Sequence, residues 1–215
     1  MPLLTGGSAP IALTSGISHC TLRGVNRLRK ATADGGRSRK RIGGGFGRLC
    51  PYDGAMNWGA FARASPELAA LGRERFEGPE LCMLGTIRRN GWPRISPCEL
   101  DLVDDELLLG MMWRSPKAVD LLRDDRCVLH SCTANQDGSE GDFKLYGTAR
   151  DEHDPAIHEA YRAAVRARID WEPSGPFHLF AIQVESAAFV VFSPDSYTMA
   201  WDPSGGTRRW NQRLE

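Results

Sequence analysis

The sequence predicts a mainly β fold of the α+β type: a small antiparallel β-barrel with peripheral helices. Three observations lead there. About seven short apolar or alternating runs follow one another between residues 81 and 192, separated by turn-forming pairs. Helical spacing is confined to three stretches, each opened by a polar cap and a proline: Ser65-Pro66, Ser115-Pro116 and Asp154-Pro155. No internal repeat is present, and 215 residues suit one domain with an appendage.

The appendage comes first. Residues 1–55 hold nine Arg or Lys against two acids, a net of +7, although the whole chain balances at 27 against 27. They also contain 11 of the 23 glycines and no apolar periodicity. Such a composition buries too little apolar surface to offset the entropy of ordering, so the segment is expected to be a disordered, basic, Gly-rich tail or an upstream extension. Met56 is then the working start of the structured part. Two functional readings compete with this. The run from Arg37 to Arg41 offers a nucleic-acid contact, and the Arg-rich, acid-poor start resembles a transit peptide. The Gly43–Gly47 run has no strand before it and no helix after it, so it is not a phosphate loop. The remaining residues carry −7, which argues against nucleic acid as a partner. No apolar run reaches the length of a membrane span, so no membrane partner is expected.

From Met56 onward the elements follow in order. Ser65-Pro66-Glu67 opens a helix with Leu68, Leu71 and Phe76 near one face. Leu81 to Arg88 and Pro93 to Val103 read as strands joined at Asn90-Gly91, a two-residue hairpin signal because both residues tolerate positive φ. Asp104-Asp105 makes the next turn, and Glu106 to Trp113 the next strand. A helix follows from Ser115 to about Asp124, then strands over Arg126 to Thr133 and Asp142 to Asp151 with a polar loop between. The helix after Asp154-Pro155 sets Ile157, Tyr161, Val165 and Ile169 on one stripe. Phe177 to Val184 and Ala187 to Phe192 are read as the last two strands.

The six cysteines show no C-x-x-C pair and no zinc spacing, and four lie in apolar runs, where a thiol is a small hydrophobe. This usage fits a reducing cytoplasm. His130 and Cys132 share a strand face but lack a third ligand, so no metal site is expected.

The strand-to-helix corner from Met111 to Leu122 carries the clearest chemistry. Ser115 suits an N-cap whose hydroxyl accepts from an early helical N–H, and Pro116 fits the first helical position. Lys117 adds a cation beside N–H groups at the positive end of the helix dipole. The corner is therefore a candidate anion site, best suited to the terminal phosphate of a nucleotide-like cofactor. The alternative is a capped surface helix with a solvated lysine.

The run from Leu84 to Pro97, with Gly91-Trp92-Pro93-Arg94-Ile95-Ser96-Pro97 at its end, then Ser115-Pro116-Lys117, Leu121-Leu122-Arg123-Asp124 and Gly147-Thr148-Ala149, resembles the pyridoxamine 5′-phosphate oxidase-like family. The match runs in order through residues 56–215 and leaves 1–55 unmatched. It implies a split β-barrel of the FMN-binding type, forming a homodimer that holds a flavin at its interface. The cofactor so implied is FMN or, as the alternative, the deazaflavin coenzyme F-420. Carried over by position, Ser115 and Lys117 would hold its phosphate, with Arg94 reaching from the neighbouring strand. Arg94 and Ser96 lie two apart and share a sheet face. Met112 and Trp113 would lie along the sugar-alcohol chain or ring, or else serve as core. Trp201 and Arg209 resemble the Trp- and Arg-bearing end that completes the site from the partner subunit, or else stitch the dimer.

The longer basic signature of the vitamin B6 oxidases themselves is absent, so making pyridoxal phosphate is not expected. The expected activity is a cytoplasmic flavin- or deazaflavin-dependent oxidoreductase acting on a small-molecule substrate, with the ring supplying the chemistry. No catalytic side chain is assigned. The rival is a non-catalytic flavin- or haem-binding module, for which His130 or His178 would be the haem ligand.

Overall fold

The computed structural model describes residues 56–78, 81–192 and 196–211, so the expectations for 1–55 lie outside the described residues. Helices α1 (Trp58–Ala64) and α2 (Pro66–Glu77) precede strands β1 (Leu81–Ile87), β2 (Pro93–Glu99), β3 (Asp101–Val103) and β4 (Glu106–Met112). Helix α3 (Pro116–Arg123), β5 (Arg126–Ser131), β6 (Asp142–Asp151) and α4 (Pro155–Ile169) follow. The chain continues through β7 (Phe177–Val191), β8 (Tyr197–Asp202) and β9 (Gly206–Asn211). No helix among the described residues is long and apolar enough to cross a membrane.

Every strand pairing is antiparallel, in the order β2-β1-β5-β6-β7-β4-β3. A single residue, Leu100, separates β2 from β3, so the two ends of this path are one stretch of chain and the sheet closes on itself. Strand β7 is shared. Its first part pairs with β4, its last part with β8, and β6 lies along its other edge. Between β4 and β8 the gap is bridged by Met56, whose carbonyl accepts from Val184 N–H at 2.7 Å. The result is a split antiparallel β-barrel with peripheral helices, as the sequence predicts.

Alternation places Leu107, Leu109 and Met111 of β4 with Phe180, Ile182 and Val184 of β7 in the main core. Trp58, Phe61, Leu68 and Phe76 of α1 and α2 fill the same core, as do Ala118 and Leu121 of α3. The opposite face of β4 and β7 presents Leu108, Leu179 and Ala181, which pack under Tyr161 and Val165 of α4. Ile169, expected on that stripe, is 43% exposed as the last residue of the helix.

The local differences from the sequence reading have physical causes. The hairpin at Asn90-Gly91 is present, but Arg88 N–H donates to Trp92 O at 2.8 Å and only Gly91 has positive φ (84°). The loop is therefore a three-residue connection ending in a left-handed residue, the next commonest solution after the two-residue turn. The strands expected over 177–184 and 187–192 are one strand. Tyr146 faces Ser186 while Gly147 faces Val184, so Glu185 is an extra residue in a bulge that bends β7. The sequence reading passed over α1. It is only seven residues long, too short for a period, although Asn57 caps it by accepting from Ala60 N–H at 3.0 Å.

Candidate functional site

The anion corner forms where β4 hands over to α3. Ser115 N–H donates to Met112 O at 3.0 Å, closing a turn in which Arg114 takes the left-handed φ of 53°. A non-glycine residue there costs about 1 kcal/mol and persists only where neighbours fix it. Pro116 lacks an N–H, and Val119 N–H is used by Ser115 O. Helix geometry thus leaves the Lys117 and Ala118 N–H groups facing the corner, at the positive end of α3.

Ser115 occupies the N-cap position, but its hydroxyl makes no cap hydrogen bond, contrary to the expectation. The Oγ is buried and has no hydrogen-bond partner among the described residues. The other caps are spent: Asp154 accepts from Ala156 N–H at 2.8 Å, and the Ser65 hydroxyl meets Thr207 Oγ1 at 2.7 Å. Lys117 Nζ donates to Pro97 O at 2.7 Å, which ties the start of α3 to β2 and leaves two of its three donors.

This corner opens on a cleft of about 530 Å³. One wall is β4 and the corner (110–113, Ser115, Lys117), and the second is residues 97–99. Opposite lie Tyr161 of α4, Trp171 and residues 173–177, the chain that leads into β7. Met112 is 80% exposed and Trp113 54% exposed, so both present apolar surface beside the cleft instead of filling the core. The Trp113 indole is held flat against His178, with ring centroids 4.4 Å apart and planes 7° apart. Burial pushes the Cys98 thiol up from its ordinary range, against the opposing effect of Lys117, so this cleft residue stays protonated.

Gly110 lets α4 approach β4 closely. A Cβ there would fall 2.0 Å from the Tyr161 hydroxyl oxygen. The residue is 4% exposed, its ring lies tilted against Phe177, and burial pushes the phenol's pKa well above the ordinary tyrosine range, so it is a weaker acid than usual.

Other expected site residues lie elsewhere. The Arg94 guanidinium is not at the cleft. Its Nε donates to Asp120 Oδ2 at 2.6 Å, an oxygen that also accepts from Thr86 Oγ1 at 3.1 Å. Asp120 lies on α3, so Arg94 supports the helix that carries Ser115 and Lys117. Ser96 is half-buried on the same β2 face and does not line the cleft. Trp201, expected to complete the site from a partner subunit or to stitch the dimer, faces inward from β8 as a core residue, 3% exposed and 5.1 Å from Phe61. Arg209 is on β9, stacked 3.9 Å over the Tyr197 ring and paired with Glu67 at 3.1 Å. Neither His130 nor His178 lines the cleft. His178 is buried between Trp113 and Phe180, and His130 Nδ1 lies 2.7 Å from Ser131 O.

Sequence reasoning placed Tyr161 only as a core residue on a helical stripe. It missed the Trp171–Phe177 wall altogether. The available signals were Pro173-Ser174-Gly175-Pro176, which reads as a turn, and a glycine inside β4, which marks a close approach.

A family model described as pyridoxamine 5′-phosphate oxidase matches residues 70–191. Among solved structures, similarity extends to a Clostridium acetobutylicum protein related to general stress protein 26 of Bacillus subtilis. It shows 17% identity and a TM-score of 0.49 over 64% of this chain and 97% of that one. A heme-binding protein from Mycobacterium smegmatis shows 17% identity and a TM-score of 0.47, over 66% of this chain and 57% of that one. A pyridoxamine 5′-phosphate oxidase-related, FMN-binding protein from Nostoc punctiforme shows 15% identity and a TM-score of 0.45, over 72% and 95%. No curated protein matches the chain.

Proposed function

This chain belongs to the pyridoxamine 5′-phosphate oxidase family, and from that premise we propose that it is a flavin-dependent oxidoreductase whose cofactor phosphate sits at the Ser115–Lys117 corner. One observation carries the reading. Ser115 Oγ is buried without a partner among the described residues, on the corner that also carries Lys117 and the first N–H groups of α3, and the corner lines a cleft that bears aromatic side chains. An unpaired buried hydroxyl costs about 1–3 kcal/mol, and a phosphate oxygen accepting from it removes that cost. The donor set fits the group: one hydroxyl, one ammonium and two backbone N–H groups for the phosphate, then Met112, Trp113, Trp171 and Phe177 for a planar apolar ring. When bound, the flavin supplies hydride or electron transfer. The protein's part is to hold the phosphate, present apolar walls and exclude water from the ring. FMN is the proposed cofactor. The deazaflavin coenzyme carries a phosphate at the end of its sugar-alcohol chain and would use the same corner.

A homodimer belongs to the same proposal. Met112, Trp113, Val119, Leu122, Ile95 and Trp92 are all exposed apolar side chains on the corner, on α3, on β2 and in the turn before it, a distribution that supports burial by a second copy. The substrate is then a small molecule admitted at the cleft mouth. Cys82 and Cys98 stand directly opposite in register and are free thiols, which supports a reducing compartment such as the cytoplasm. The test is the absorption spectrum of the purified protein, followed by titration with FMN and with the deazaflavin coenzyme. A flavin-type spectrum, or saturable binding of either at micromolar concentration or below, is expected. A Soret band, or binding of neither, would overturn the proposal.

A further inference from the structure

The cleft that holds the phosphate corner has a second hydroxyl in its lining, that of Tyr161, at 4% exposure for the residue. It lies where a Cβ on Gly110, also a cleft residue, would fall 2.0 Å away, and it has no hydrogen-bond partner among the described residues. Unlike Ser115 Oγ it is not among the sealed, unpaired polar atoms, so the O–H of this largely buried side chain is open to a partner in the cleft. The phenol is fixed in place. Val165, one turn further along α4, is buried in the same cluster, and the ring lies between α4 and Phe177.

We propose that the Tyr161 hydroxyl is a ligand-binding group that donates to a neutral carbonyl oxygen on the ring system of the bound cofactor. This rests on the phosphate reading of the corner, and it names what the cleft recognises beyond the phosphate. The direction of the bond follows from the surroundings. Burial, then the charges of Asp101 and Glu99, keep the phenol protonated throughout the physiological range. It therefore acts as a donor and not as a base. The same two carboxylates, both bound by Arg168, make this part of the cleft unfavourable for an anionic acceptor. A neutral carbonyl satisfies the donor without that repulsion. The cleft is thus graded, with a cationic corner for a phosphate and a neutral donor among aromatic walls for a planar dione.

The test compares wild type, Tyr161→Phe and Lys117→Ala for binding FMN and riboflavin, which lacks the phosphate. Ligand fluorescence reads affinity, and the carbonyl stretching bands of bound FMN are read by infrared difference spectroscopy. Tyr161→Phe is expected to weaken FMN and riboflavin by the same factor, about fivefold or more for one neutral hydrogen bond. A carbonyl band should move to higher frequency. Lys117→Ala should weaken FMN alone. Gly110→Ala provides the second variant: it keeps the phenol but displaces it, and should also weaken riboflavin. Unchanged affinities and an unchanged carbonyl band in Tyr161→Phe would overturn the proposal, as would a loss confined to FMN. If wild type binds neither ligand, the flavin reading itself falls, an outcome distinct from a failure of Tyr161 alone.

Discussion

Gly110 provides a quantitative handle on how α4 is seated over β4. A Cβ added there would lie 2.0 Å from the Tyr161 hydroxyl oxygen, 2.6 Å from Cζ and 3.0 Å from Cε1. A relaxed contact needs roughly 3.5 Å, so the ring must retreat by about 1.5 Å. It cannot do so freely, because Tyr161 and Val165 are both buried against Leu108, Leu179 and Ala181. Overpacking of this kind costs about 1–3 kcal/mol. Restricting the unfolded chain by replacing glycine returns about 0.4–1 kcal/mol. Gly110→Ala is therefore expected to destabilise by about 1–2 kcal/mol, measured by urea unfolding with an unchanged m-value. The cause is checked by repeating the substitution in Tyr161→Phe. Removing the oxygen leaves Cζ as the nearest atom, so the penalty should fall by about 0.5–1 kcal/mol without vanishing. An equal penalty in both backgrounds, or none in either, would refute this packing.

Two further predictions follow from other contacts. Arg94→Ala should destabilise by about 1–3 kcal/mol, because the buried Asp120 carboxylate keeps only Thr86 and the more distant Arg123 as partners; a change below about 0.5 kcal/mol in denaturant unfolding would show that the ion pair is unimportant. In the β8–β9 turn, hydrogen bonds from the Ser204 hydroxyl, from Gly205 N–H and from Arg208 pull the Asp202 carboxyl down to about 2. Its folded value lies below the unfolded one, so its contribution is present above the ordinary carboxylate range and lost as pH falls through about 2. The Gly205 amide resonance should titrate with that midpoint and become pH-independent in Asp202→Asn, whereas a midpoint near 4 would contradict the turn geometry.

The barrel was legible in the sequence because its strands alternate and its turns use residues with special backbone freedom, such as Gly91 and the Asp104-Asp105 pair. Both of those aspartates adopt positive φ, as a two-residue hairpin requires. What local pattern could not reveal is how distant elements meet. The hairpin of β8 and β9 was read only as an aromatic tail, and its Trp201 turned inward because β8 pairs with β7. Arg94 carries the right chemistry for phosphate, but its partner lies 26 residues away on α3, a contact that spacing along one strand does not encode. The corner itself was readable because Ser115, Pro116 and Lys117 act within a few residues. Its unspent hydroxyl was not, since rotamer and burial depend on the rest of the cleft.

The most direct test of the central claim is the affinity of wild type and Lys117→Ala for FMN and for riboflavin, measured on the full chain. The ammonium is exposed and uses one donor on Pro97 O, so its loss should leave thermal unfolding nearly unchanged. A charge-assisted contact to phosphate is worth about 1.5–3 kcal/mol, which predicts FMN binding weakened about 10- to 150-fold while riboflavin binding stays as in wild type. Equal FMN affinity in the two proteins would contradict the account.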